Sequence, residues 1–282
     1  MTDTTSGYYD RQYNARAMIP DHAAIFERWK RRSQEARALL HCRLDISYGA
    51  SAAETLDLFP AAGAGAALLV FIHGGYWRSL DKSDFSFLAH AFNRHGVALV
   101  LPNYALCPGV GVEDIVKQNL LAVAWLWHCG ARYGVNPGRL YVAGHSAGGH
   151  LTAMMLAARW NEYMPNLPRN LVKGGLAISG IYDLEPLVQA PFVNQDLKLD
   201  TQLARRLSPA GMPPATSAPL YTAVGGDESD EFKRQNALIA DTWRDAFAGD
   251  IPMPGYNHLT VAEELANPDS ALFKGALAMM TR

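Results

Sequence analysis

The segment Gly144-His145-Ser146-Ala147-Gly148 sets a serine in the pattern G-x-S-x-G. A serine hydroxyl is a weak nucleophile until a base takes its proton, and small residues on either side let a sharp turn present it. The apolar run RLYVA precedes the motif and the helix-compatible HLTAMMLAARW follows it, the strand–turn–helix setting such a serine requires. The first turn of that helix would offer free N–H groups and a positive dipole end to a developing oxyanion. A serine that only caps a helix is the plainer alternative. Upstream, His73-Gly74-Gly75-Tyr76-Trp77 follows the apolar run ALLVFI. Two adjacent glycines let backbone amides approach a substrate oxygen closely. The amides of Gly74, Gly75 and Ala147 are therefore candidate oxyanion donors, with His73 a structural neighbour that holds the loop.

Acyl transfer to a serine also needs a base and a carboxylate that fixes the base's tautomer. After Ser146 the chain has two histidines, His150 and His258. His150 falls one turn into the helix behind the serine and reads as packing or capping. His258 lies on a loop before the last helix, where a base can reach the serine. Three carboxylates are open as its partner: Glu228 and Asp227, after Gly225-Gly226, and Asp183, after the preceding apolar run. Each has a solvated loop position as its plainer reading. Tyr76, Trp77 and Tyr104 are candidates to wall an aromatic-sized pocket, against ordinary aromatic packing. Ser79-Leu80-Asp81-Lys82 fits S-x-x-K but lacks companion motifs, and Gly63 to Gly65 precedes a strand rather than following one.

The elements that must carry these residues alternate. Helical spacing over 21–40 puts Ile25, Trp29 and Leu39 on one face, and alternating runs over 42–48 and 54–59 suggest an antiparallel strand pair. Apolar strands are expected over 67–72, 97–101, 139–143, 172–178 and 220–224, with a short segment near Ile251. Helices are expected over 85–94, 112–133, from Ser146 to about 160, and over 231–247 and 268–280. Such alternation predicts an α/β chain with one doubly wound, mostly parallel sheet and helices on both faces. We read 1–282 as one domain, with about 1–41 an N-terminal helical cap segment and about 185–218 an irregular proline-rich insertion.

Composition narrows the partners. The 282 residues are 49% hydrophobic and 18% charged, with a formal net charge of −2. That is ample for a large core and offers no basic excess for a phosphate backbone, so no nucleic acid is expected. No apolar run approaches the ~20 residues that span a bilayer, so no membrane is expected. The first residues carry no apolar signal-peptide core, and the expected compartment is the cytoplasm. Cys42, Cys107 and Cys129 lack metal or redox spacing and read as buried, reduced thiols. A small-molecule substrate is the expected partner, and a homodimer is left open.

Taken together, the motifs resemble the α/β-hydrolase superfamily near the hormone-sensitive-lipase-like esterases, and more nearly the kynurenine formamidase (arylformamidase) group. Its oxyanion loop reads HGGYW where lipases and esterases have HGGG, as His73 to Trp77 do. The tyrosine-rich YYDRQYNAR, the GHSAGGH at 144–150 and the stretch Glu228-Ser229-Asp230-Glu231-Phe232 also match. The resemblance covers nearly the whole chain. It implies Ser146 as nucleophile, His258 as base, Glu228 as acid with Asp227 the alternative, and no metal or organic cofactor. It implies a serine hydrolase that cleaves a small amide or ester through an acyl-enzyme, an aryl formamide in the first instance. A general short-chain carboxylesterase is the alternative. A hydrolase fold kept as a non-catalytic binding protein is a remote one.

Overall fold

Strands without a polar face must be covered on both sides. The computed structural model, which describes residues 4–63 and 65–281, buries them in this way. Eight strands form one sheet: β1 (Arg43–Ser47), β2 (Thr55–Phe59), β3 (Ala67–Ile72), β4 (Val97–Pro102), β5 (Leu140–His145), β6 (Val172–Ile178), β7 (Leu220–Gly225) and β8 (Phe247–Met253). Their order is β1-β2-β4-β3-β5-β6-β7-β8. The pairs β1–β2 and β2–β4 are antiparallel, and every other pair is parallel. This is the α/β-hydrolase architecture expected above.

Alternate residues of β3 feed two cores. Leu68, Val70 and Ile72 pack with the helices Val112–Cys129 and Ala147–Ala157 on one face. Leu69 and Phe71 pack on the other with Ile25 and Trp29 of the helix His22–Leu39 and with Phe273 of the helix Ala271–Met280. The N-terminal segment is thus helical and docked, as expected, with a further helix over Thr4–Tyr13. Its buried stripe is Ile25, Trp29, Ser33 and Ala36, while Leu39 is 78% exposed. Ser33 replaces an apolar residue in the stripe because its hydroxyl donates to the Asp84 carbonyl at 2.8 Å.

Several boundaries differ from the sequence reading, three of them for a plain physical reason. The helix expected over 231–247 ends at Thr242, and Phe247 opens β8, an edge strand whose Gly249 and Pro252 hid it. An edge strand tolerates proline because one side of its backbone needs no partner. The region 185–218 is not irregular throughout: short helices run over Glu185–Val188, Pro191–Leu197 and Thr201–Arg206. Pro186 and Pro191 sit in the first turn of theirs, where the missing N–H costs nothing. The helix expected to start at Phe85 begins as a 3-10 turn at Lys82, capped by Asp81. All three cysteines are free, with Cys107 buried and Cys42 and Cys129 partly exposed. No helix among the described residues is long and apolar enough to cross a membrane.

Candidate active site

β5 ends at His145, and the chain turns at Ser146 with φ +58° and ψ −116° before entering the helix Ala147–Ala157. A non-glycine residue held there is strained, and strain of this kind persists only where its surroundings enforce it. They do so on both sides of the turn. The Ser146 amide donates to the Ile178 carbonyl at 2.8 Å, and its carbonyl accepts from Gly149 and His150 at 2.9 and 3.1 Å. Both motif glycines are sterically required. A Cβ on Gly144 would lie 2.1 Å from the Gly148 carbonyl oxygen, and one on Gly148 would lie 1.9 Å from that of Ile72.

The loop after β3 curls over this turn. A Cβ on Gly74 would lie 3.1 Å from Ser146 Cβ, so the two backbones approach as closely as a missing side chain allows. Gly75, Tyr76 and Trp77 follow one another at φ +105°, +52° and +53°. The amides of Gly74, Gly75 and Ala147 have no acceptor among the described residues. His73 braces the loop from below: its ring stacks on Tyr104 at 4.2 Å, and Nδ1 lies 2.8 Å from the Gly74 carbonyl oxygen. Burial pushes its pKa down, which keeps the ring neutral.

Across the cleft stands His258, 5% exposed. Its Nδ1–H donates to Glu228 Oε2 at 2.6 Å, leaving the lone pair on Nε2. Glu228 Oε1 accepts from Ser179 Oγ at 2.5 Å and from the Gly225 amide at 2.7 Å. Of the three candidate carboxylates only Glu228 meets the imidazole. Asp227 is exposed, and Asp183 pairs with Arg234 at 3.4 Å. The His258 ring is held between Phe232 at 4.2 Å and His145 at 4.7 Å. His145 Nε2–H donates to the His258 carbonyl at 2.7 Å. Burial, reinforced by repulsion from His258, lowers the His145 pKa well below its ordinary value.

Ser146, His145 and His258 open on one cleft with a cavity volume of about 60 Å³. Gly75 and Tyr76 line it from the loop, Phe192 from the proline-rich region, and Asn14, Arg16, Phe26 and Trp29 from the N-terminal segment. Two of the aromatic candidates do not line it. Trp77 is fully buried, edge-on to His150 at 5.1 Å, and Tyr104 is spent on bracing His73. Positive φ at Trp77 turns its side chain away from the cleft and into the core. His150 packs as expected, its Nε2–H donating to the Leu207 carbonyl at 2.8 Å.

Sequence reasoning missed Ser179, at φ +49° just past β6, and the cleft residues Arg16, Phe26, Trp29 and Phe192. A signal for Ser179 existed, because a polar residue at the carboxyl end of a strand beside the nucleophile's strand faces the ligand crevice. Phe192 had none, and the cap expected over about 1–41 pointed to no particular residue, since only chain crossing brings these side chains there.

The chain is 31% identical to a kynurenine formamidase of Salmo salar, over 96% of this chain and 92% of that one. A Danio rerio kynurenine formamidase is 30% identical over 88% and 85%. The chain belongs to the α/β-hydrolase family of these kynurenine formamidases. Within that family, residues 56–191 match the profile described as BD-FAE. A solved structure from Silicibacter sp., provisionally called a thioesterase, superposes with a TM-score of 0.85 at 33% identity, covering 97% of this chain and 98% of that one. Esterase B of Lactobacillus rhamnosis shares the fold at TM-score 0.68 and 17% identity, over 94% and 96%.

Proposed function

We propose that this α/β-hydrolase is a serine hydrolase that cleaves a small amide or ester, with an aryl formamide as its substrate. The observation that carries the proposal is the buried Glu228–His258 pair on a cleft that Ser146 shares. In the first half-reaction Ser146 Oγ attacks the carbonyl carbon while its proton passes to His258 Nε2. The oxyanion is stabilised by the amides of Gly74 or Gly75 and of Ala147, each donor contributing typically ~2.7–4 kcal/mol. Collapse breaks the bond to the leaving nitrogen or oxygen, which takes the proton from His258. Water, deprotonated by the same imidazole, then releases the acid. Glu228 holds the tautomer and stabilises the imidazolium throughout. The sequence of steps uses no metal or organic cofactor.

A formamide is favoured over longer acyl groups by the narrow cavity and by the curated relatives' activity. Tyr76, Phe26, Trp29 and Phe192 would face an aryl leaving group. At the mouth Arg78 is paired with Asp196 at 2.5 Å, Arg16 has no carboxylate partner among the described residues, and no carboxylate among them lines the cleft. A short-chain carboxylesterase is the second reading, supported by a Mycobacterium tuberculosis carboxylic ester hydrolase that is 35% identical over 34% of this chain. The free cysteines support a cytoplasmic location. The test is the hydrolysis of N-formylkynurenine against p-nitrophenyl acetate, with fluorophosphonate labelling of Ser146 and a Ser146→Ala control. Formamide turnover far above that of the ester is expected. Ester turnover alone would favour the carboxylesterase, and no labelling of Ser146 would refute a serine hydrolase.

A further inference from the structure

The oxyanion loop holds two consecutive non-glycine residues, Tyr76 and Trp77, in the left-handed region, after Gly75 at φ +105°. Something outside the loop must keep it so. The Tyr76 hydroxyl leaves the loop and donates to the backbone carbonyl of Tyr13, the last residue of the first helix. Tyr13 is fully buried although it sits near the chain's start. Its own hydroxyl donates to Glu231 Oε2 at 2.8 Å and accepts from Gln235 Nε2 at 2.8 Å. Its ring stands edge-on to Phe232 at 5.6 Å. Glu231, Phe232 and Gln235 belong to the helix Asp230–Thr242, which begins two residues after Glu228, and Phe232 is the ring against His258.

We propose that Tyr13 and Tyr76 form a strap that makes the N-terminal segment a positioning part of the catalytic machinery, tying the oxyanion loop to the helix that seats Glu228 and His258. The strap crosses the cleft from one catalytic half to the other. Neighbouring bonds of the segment reach one side each: Gln12 accepts from the Glu231 amide at 3.2 Å, and Arg16 donates to Ser79 at 2.9 Å. Both phenols are buried enough to stay protonated, so both serve as donors at any working pH. Neither touches the reacting atoms. Their effect is on where the Gly75 amide and the His258 ring stand when the oxyanion forms, and misplacement of such groups lowers turnover more than binding.

This inference rests on the mechanism proposed above. The experiment compares Tyr13→Phe, Tyr76→Phe and the double variant in the full chain, using p-nitrophenyl acetate and a fluorophosphonate that counts reactive Ser146. Each single variant is expected to lose about tenfold in kcat per labelled site with KM within twofold, a scale set by misplacing rather than deleting a donor. The double variant is expected to lose little more than either single one, because both changes cut one strap. A merely structural role would lower the melting temperature and the labelled fraction while leaving kcat per labelled site unchanged, and that result overturns the proposal. So does full additivity of the two losses. Should Tyr13→Phe not fold, Tyr76→Phe decides alone, since it removes one hydroxyl from a partly exposed loop residue. If the wild-type Ser146 does not label, the mechanism itself falls, and the role of the strap with it.

Discussion

Gly148→Ala offers a stringent test of how the serine turn is built. The added Cβ would lie 1.9 Å from the Ile72 carbonyl oxygen, 2.7 Å from the Ile72 carbonyl carbon and 2.8 Å from the His73 carbonyl oxygen. All three are backbone atoms at the end of β3, so no side chain can swing aside. Real Cβ contacts stay beyond 3.0 Å, so the helix Ala147–Ala157 and the end of β3 must separate by about 1 Å, a displacement that can cost on the order of 100-fold in rate. The separation carries the Ala147 amide on the helix away from the Gly74 and Gly75 amides on the loop. Losing one oxyanion donor costs ~2.7–4 kcal/mol, or roughly 100- to 1,000-fold in kcat. Overpacking adds ~1–3 kcal/mol of destabilisation. The assay is kcat per fluorophosphonate-labelled site with p-nitrophenyl acetate, beside a thermal melt. Gly211→Ala is the control, because among the described residues no atom beyond its neighbours along the chain lies within 4 Å of its Cβ position. A Gly148→Ala enzyme that melts like the wild type and keeps kcat within threefold would refute the idea that this contact fixes the oxyanion geometry.

Three further outcomes are expected. Glu228→Gln should lower kcat by about a thousandfold or more through loss of the correct imidazole tautomer, whereas Asp227→Asn, at an exposed site, should stay within twofold; steady-state kinetics of the pair checks this, and the reverse pattern would move the acid to Asp227. Burial lowers the His150 pKa to about 4 against an ordinary value of 6.5, and His73 and His145 shift the same way. Below about 6.5 the unfolded chain takes up protons that the folded chain refuses, so stability should fall as pH drops from about 6.5 to about 4, by on the order of 3 kcal/mol from His150 alone. Urea melts across that window check it, and His150→Gln should flatten the slope. Arg16, whose side chain meets Ser79 and the Phe26 face and pairs with no carboxylate among the described residues, can meet an anionic substrate group; Arg16→Gln should raise KM several-fold more for a carboxylate-bearing aryl ester than for phenyl acetate, and equal changes would remove Arg16 from recognition.

Much of the site was legible because its signals are local. The sharp turn at Ser146 shows in two glycines, a strand before them and a helix after them. The short helices over 185–218 were not legible, because proline marks both a break and a first helical turn. Trp77 and Tyr104 looked like pocket walls from their neighbours in sequence, yet positive φ and the stacking on His73 turned them inward.

By itself the amino-acid sequence determined the parallel α/β sheet, the strained serine turn, the double-glycine loop and the histidine before the last helix. These follow from apolar runs and glycines whose consequences reach only a few residues along the chain. Only the tertiary structure decided that Glu228 rather than Asp227 or Asp183 meets His258, that Ser179 supports it, and that Tyr13 straps the N-terminal helices across the cleft. The physical reason is that a side chain's partner is set by which strand ends lie side by side. The sheet order β5-β6-β7-β8 brings together Ser146, Ser179, Glu228 and the loop of His258 from positions more than a hundred residues apart.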